Sequence, residues 1–213
     1  MTPRPYVSRA RAAAAEARRQ AVIEAAAAFM RANPMTVFSL ESVAAAAGVT
    51  RLTVYKQFGS RGGLLEAVFD VLARNGRLGR IADVVTDPDP REGLMRLAEV
   101  FCDFWSGDAA VGRLHDAMAT DPDLARALSE RNERRRRAVA ALLERMQLPA
   151  TAGQRRDAAD LIFALTSYPM FRLLSGGRSA AGACALIKAA CSDALDRLTA
   201  RPPAGRASGT HWH

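Results

Sequence analysis

The chain has almost none of the side chains from which catalytic or metal centres are built. Of its three histidines, His211 and His213 flank Trp212 at the C-terminus, where they read as a solvated end, and only His115 lies in the body of the sequence. No GxSxG elbow, phosphate-binding glycine loop or His/Cys/carboxylate set with metal-ligand spacing occurs, which removes the usual signatures of hydrolytic, nucleotide-dependent and metal-dependent chemistry. The expectation is no enzyme, no catalytic residue, no metal and no cofactor. Cysteine is scarce as well: Cys102, Cys184 and Cys191 are odd in number and lack CxxC spacing, as in a reducing cytoplasm. Their plain reading is small buried hydrophobes. No window approaches about 18 uncharged apolar residues, so no membrane span is expected. The stretch MTPRPYVSRARAAAAEARR carries charge where a secretory signal would be apolar. Strand-like alternation is missing too. With 49% hydrophobic residues and abundant alanine, the expected fold class is all-α.

What the chain does have is positive charge, unevenly placed. The net charge is +8, and residues 1–80 hold 12 Lys+Arg against 5 Asp+Glu, leaving 18 against 17 in the rest. Nearly all the excess sits on the N-terminal third. Such a patch steers a surface toward phosphate and gives affinity that falls with salt. A membrane surface would attract the same charge, but the bulky apolar face of an interfacial helix is not there.

The basic third contains SLESVAAAAGVTRLTVYKQF, residues 39–58. Ser39 is placed to cap a helix, and Leu40, Val43, Ala44 and Ala47 recur at helical spacing. Ala44 is small where a second helix would cross. Gly48 tolerates the positive φ that ends a helix, Val49 plugs the corner, and Thr50 can cap the next helix. Val54 and Phe58 turn inward, leaving Arg51, Leu52, Thr53, Tyr55, Lys56 and Gln57 outward or sideways. Two short amphipathic helices around a glycine turn, the second with a basic outer face, suit insertion into a DNA major groove. An outward leucine fits there because it can meet a thymine methyl. Base edges are assigned to Arg51, Leu52, Thr53 and Lys56.

The segments QAVIEAAAAFM, SLESVAAAAGVT and LTVYKQFGSRGGLLEAVF resemble the DNA-binding domain of the tetracycline-repressor (TetR) family of bacterial transcription regulators. The likeness covers about a third of the chain, and its most specific part is Y-x-x-F followed by a short basic loop and a further helix. It implies phosphate contacts from Ser39, Thr50, Tyr55, Gln57 and Arg61. It also implies a larger helical domain that dimerises and binds a small molecule. Two departures stand out. Arg61 replaces the family's usual lysine, and Gly62 and Gly63 replace the acidic residues common after it. Glycines there weaken a helix start by about 1 kcal/mol each, so a looser junction is expected.

Residues 1–10 read as a flexible basic arm, with Arg4 and Arg9 within it and Arg11 just beyond. Residues 11–78 form the helix-turn-helix domain, whose first helix runs from about Arg11 to Ala32 and stops before Pro34. A breaker-rich linker with Gly76, Gly79, Pro88 and Pro90 opens a ligand-binding and dimerisation domain over 79–200. Residues 201–213 read as a disordered tail. Helices are expected near 90–106, 109–119, 122–147, 152–174 and 178–200, the fourth kinked by Pro169, which would leave the Leu165 carbonyl free. The run Arg134–Arg137 points around a whole helix turn and reads as a solvated face, with Glu130 and Glu133 pairing four residues on.

Pocket candidates are Phe101, Cys102, Trp105, His115, Met118, Phe163, Tyr168 and Phe171. Trp105 and Tyr168 need polar partners if buried, and His115 and Tyr168 are the candidate polar anchors for an apolar or aromatic ligand. The last helix is apolar over more than one stripe, so Leu161, Leu165, Leu186, Ile187, Ala190 and Ala194 are the expected dimer interface. The function expected is a cytoplasmic, ligand-responsive regulator, a repressor by the family's usual mode. It would bind a near-palindromic double-stranded DNA operator as a homodimer and be released by a small effector. The alternative is a dimeric DNA-binding protein with no small-molecule ligand, constitutive or governed by a protein partner.

Overall fold

A computed structural model describes residues 5–118 and 120–199. Among them are eleven α-helices, two short 3-10 turns and no strand. Helix α1 (Pro5–Ala32) begins six residues before the expected start. Proline is compatible with a first helical position, and the Ala/Arg-rich run after it has high helix propensity, so residues 5–10 are helical rather than an arm. Residues 1–4 and the expected tail, with His211, Trp212 and His213, lie outside the described residues. Helices α2 (Leu40–Ala46), α3 (Arg51–Phe58) and α4 (Arg61–Asn75) complete the N-terminal part. No described helix is long and apolar enough to cross a membrane.

The breaker-rich stretch after α4 is mostly helical: a 3-10 turn at Leu78–Arg80 runs into α5 (Ile81–Val85). Its entry is fixed sterically. A Cβ on Gly76 would fall 2.6 Å from a Phe104 ring carbon, and Arg77 takes the left-handed conformation, φ 56°, to turn the chain. Then come α6 (Pro90–Gly107), α7 (Ala109–Ala117), α8 (Pro122–Arg145), α9 (Ala152–Leu165), α10 (Tyr168–Leu174) and α11 (Ala180–Thr199). Asp89 and Asp121 cap α6 and α8, each ahead of a proline in the first turn.

One expected helix is two. The chain breaks at Thr166–Ser167, where Ser167 caps α10 and Pro169 stands in its first turn. Pro169 therefore starts a helix instead of kinking one, since its missing N–H costs nothing at that position. The carbonyl put to use is that of Thr166, which accepts from Trp105 Nε1 at 3.0 Å and from Arg135 Nη1 at 2.7 Å. Trp105 thus has the partner its burial requires.

Two hydrophobic clusters organise these helices. The first joins Met30, Val43, Val54, Leu64 and Leu65 of α1–α4 to Phe104, Leu114, Leu124 and Leu128 of α6–α8. The second lies among α5, α6, α8, α9, α10 and α11, and Trp105 and Leu78 pack against both. Cys102 and Cys191 are buried there. Burial pushes the Cys191 thiol up to about 12 and Cys102 higher still, with Cys184 alongside, so both behave as the small hydrophobes expected of them.

Candidate nucleic-acid interface and effector cavity

The hairpin at 39–58 is built by short-range chemistry. The Ser39 hydroxyl accepts from the Ser42 amide at 3.0 Å, and the Ser42 hydroxyl accepts from the Ser39 amide at 2.9 Å, a reciprocal cap on α2. Gly48 sits at φ 65°, and the Val49 amide donates to the Ala44 carbonyl at 3.0 Å across the turn. Thr50 caps α3 by accepting from the Thr53 amide at 3.1 Å. Val54 is fully buried and Phe58 is half-buried under the Arg19 guanidinium, 4.5 Å from its ring centroid.

The opposite face of α3 is open. Leu52 is 59% and Tyr55 55% exposed, with Arg51 and Lys56 exposed beside them and Thr53 and Gln57 half-buried. Neither Arg51 nor Lys56 has a salt-bridge partner among the described residues. Apolar side chains standing in water between unpaired cations form a surface suited to a partner with both apolar and anionic groups. Gln57 Oε1 is buried without a hydrogen-bond partner.

Arg61, expected at a phosphate, has partners within the chain as well. Its Nη1 pairs with Asp121, the cap of α8, at 3.2 Å, and its guanidinium lies 5.6 Å from the Phe38 ring centroid. It ties the start of α4 to the start of α8, which a local reading of the sequence could not show. The two glycines after it also act differently from expectation. A Cβ on Gly62 would meet Asp121 Oδ1 at 3.2 Å, and one on Gly63 would fall 2.2 Å from the Phe58 carbonyl oxygen. They permit close packing here, so the junction is tight where a loose one was expected. A second tie joins Arg31 of α1 to Asp108, the cap of α7, through Nε and Nη2 at 2.9 and 2.6 Å. Burial alone would raise the Asp108 carboxyl. The hydrogen bonds from Arg31 and the Ala110 amide, with the Arg31 charge, outweigh it and hold the group below its ordinary value.

Between α4, the α5 turn and α6–α8 lies a cavity of about 500 Å³, within the range that holds small ligands. Four of the expected residues line it: Phe101, Trp105, His115 and Met118. Three do not. Phe171 is buried in the second core, and Phe163 lies under the Arg135 guanidinium at 4.2 Å. Tyr168 packs behind Trp105 and His115, its hydroxyl so close to Gly112 that a Cβ there would be 2.3 Å away. Burial pushes the His115 imidazole below its ordinary value, which leaves it neutral at pH 7.

The lining residues that sequence reasoning missed include polar ones as well as apolar ones. Asp70, Arg131, Asn132 and Arg135 all line the cavity. The run Arg134–Arg137 is not one solvated face: Arg134 and Arg137 are exposed, Arg136 pairs with Glu133 and Asp160, and Arg135 is 3% exposed. Neither expected pair four residues apart, Glu130–Arg134 or Glu133–Arg137, forms a salt bridge among the described residues. The one available signal was position, since Arg135 is in helical register with the buried Leu128, Val139 and Leu142.

The expected interface residues divide. Leu161 and Leu186 are 42% and 41% exposed, and Leu165 and Ala190 are half-buried. Ile187 and Ala194 lie in the second core of the same chain, because α11 packs one stripe against α6 and α9.

Residues 22–68 match a family model described as bacterial regulatory proteins, tetR family. No protein of curated function matches the chain. Among solved structures, a Rhodococcus sp. protein assigned to the TetR-family transcriptional regulators superposes with a TM-score of 0.68 at 19% identity, over 84% of this chain and 98% of that one. One from Mesorhizobium loti gives 0.61 at 21% identity, over 86% and 97%. A transcriptional regulator from Rhodococcus sp. Rha1 gives 0.67 at 16% identity, over 86% and 99%. The N-terminal region, residues 22–68, thus matches the tetR family of bacterial regulatory proteins, and the helices beyond it complete a fold shared with solved structures assigned to that family.

Proposed function

We propose that the chain is a homodimeric transcriptional regulator, a repressor, which binds a near-palindromic DNA operator and is released by a small apolar or aromatic effector. The observation that carries this reading is the outer face of α3, where Leu52 and Tyr55 stand in water beside unpaired Arg51 and Lys56. Arg51, Leu52, Thr53 and Lys56 read base edges. Ser39, Thr50, Tyr55 and Gln57 hold phosphates, with Ser39 and Thr50 doing so from helix N-termini already organised by their caps. Leu161 and Leu186, with Leu165 and Ala190 at their edges, form the surface that a second copy covers. Two copies of α3 about 34 Å apart, one DNA turn, read both half-sites.

The cavity supports an effector over the alternative of a constitutive or partner-controlled protein. Its walls include Phe69, Ala73 and Arg74 of α4, and the start of α4 packs on the end of α3. An effector that binds better to one setting of α4 must weaken operator binding by the factor with which the operator weakens effector binding, typically by ~1–3 kcal/mol.

Selection from a randomised duplex pool at low ionic strength tests the DNA assignment. The expected product is a two-fold repeat, and Arg51→Ala should relax preference at one base pair per half-site by about 1–3 kcal/mol. A variant that loses affinity equally for every sequence would remove Arg51 from the base-reading set.

A further inference from the structure

Among the described residues, Arg135 is the one arginine of the cavity lining that is both buried and without a carboxylate partner. Arg135 is 3% exposed, packed 5.2 Å from the Phe101 ring centroid and 4.2 Å from that of Phe163. Its hydrogen bond goes from Nη1 to the Thr166 carbonyl oxygen, and Nε is buried with no partner. Among the described residues no carboxylate reaches it. Asp70, the acidic residue of the lining, is taken by Arg131 at 2.8 Å, while Arg74 and Arg134 are exposed to water.

Burial, with the neighbouring Arg136 charge, pushes the Arg135 guanidinium down to about 10, so it remains a cation at neutral pH. A buried charge without a partner is strongly unfavourable. A carbonyl and two ring faces offset part of that cost, and an anion against the guanidinium would offset more. The rest of the lining is mainly apolar, with Phe69, Phe104, Trp105, Leu114, Met118 and Leu128 beside the neutral His115. Asn132, one turn before Arg135 on α8, lines the same space and brings a second donor, its side-chain amide.

We propose that the effector of this cavity is an amphipathic organic acid, whose apolar or aromatic body fills the space between α4 and α7 while its single anionic head pairs with Arg135. The proposal rests on the reading of the chain as effector-controlled and names the chemistry of that effector. It also gives Arg135 a role that bridging the α9–α10 break leaves unfilled, because the break uses only Nη1.

The test uses two fluorescent probes with one ring system: 8-anilinonaphthalene-1-sulfonate, which is anionic, and N-phenyl-1-naphthylamine, which lacks the sulfonate. The expected result is one sulfonate probe bound per chain, about 10- to 100-fold more tightly than the neutral probe, the range of a charge-assisted hydrogen bond. Decanoate should displace it and decanamide should not. In Arg135→Met the preference should vanish while the neutral probe keeps its affinity, whereas Arg178→Ala, at an exposed site outside the cavity lining, should leave both unchanged. A merely structural Arg135 would alter both probes together.

Equal affinity for the two probes, or sulfonate binding that survives Arg135→Met, overturns the anionic assignment and leaves the effector cavity standing. Failure of both probes to bind the wild-type chain overturns the assignment together with the effector reading beneath it. Should Arg135→Met lose its cooperative unfolding transition, the wild-type probe ratio and the decanoate–decanamide contrast decide the question.

Discussion

The helical hairpin at 39–58 and the cavity at the centre of the larger part place charge in opposite ways. In the hairpin, polar groups close on near neighbours, Ser39 with Ser42 and Thr50 with Thr53, and the cations Arg51 and Lys56 are left to water. Around the cavity, polar groups close over long separations, Arg131 with Asp70 and Arg135 with Thr166, and one cation is kept from water. An exposed charge can await a partner at little cost, because solvent screens it. A buried one cannot, and so its presence says more about what is meant to meet it.

The largest expected effect tests whether the two regions are separate bodies at all. Leu114 belongs to α7 yet is buried in the core that holds Val43 and Val54. Leu114→Ala should destabilise the whole chain by about 2–5 kcal/mol. Urea unfolding followed by far-ultraviolet circular dichroism and by tryptophan fluorescence should stay coincident. Two separated transitions, with the N-terminal one unmoved, would break the comparison into two independent domains.

A smaller effect is expected at the junction. Gly63→Ala places a methyl against the Phe58 carbonyl, 2.2 Å away before relaxation, and should cost about 1–3 kcal/mol while lowering operator affinity through a displaced α3. A thermal midpoint at or above that of the wild type would mean that glycine sits there for reasons other than space.

The smallest concerns Arg61. Asp121→Asn keeps a capping oxygen on α8 and removes the counter-charge. If the pair in the structure withholds Arg61 from phosphate, the salt dependence of DNA binding should steepen by about one unit of log–log slope in the variant. An unchanged slope in Asp121→Asn with a shallower one in Arg61→Ala would show Arg61 already on the backbone of the DNA.

These contrasts also explain what could be read from the sequence. The all-α fold, both caps of the hairpin, the glycine at φ 65° and the inward Val54 follow from rules acting over three to five residues, and Ser39, Gly48 and Thr50 carry those rules visibly. The Arg61–Asp121 pair spans 60 residues, and nothing near either side chain announces the other. Arg135 was hidden by its three arginine neighbours, since a charge run reads as solvated although a helix must turn one member inward. The break at Thr166 was hidden by the unbroken apolar run LIFAL before it, and Pro169 was equally compatible with a kink and a start. Ile187 and Ala194 share the apolar character of Leu186, and only the packing of α11 on α6 and α9 separates the buried stripe from the open one.

The continuity of the first hydrophobic cluster from α1 into α8 has a consequence for grafting. A headpiece transplanted from a relative would arrive with its own counterparts of Leu64, Leu65 and Val68, and these must interlock with Phe104, Leu124 and Leu128 of the host. Swapping α3 alone, whose outer face touches none of them, re-addresses the protein without disturbing that seam.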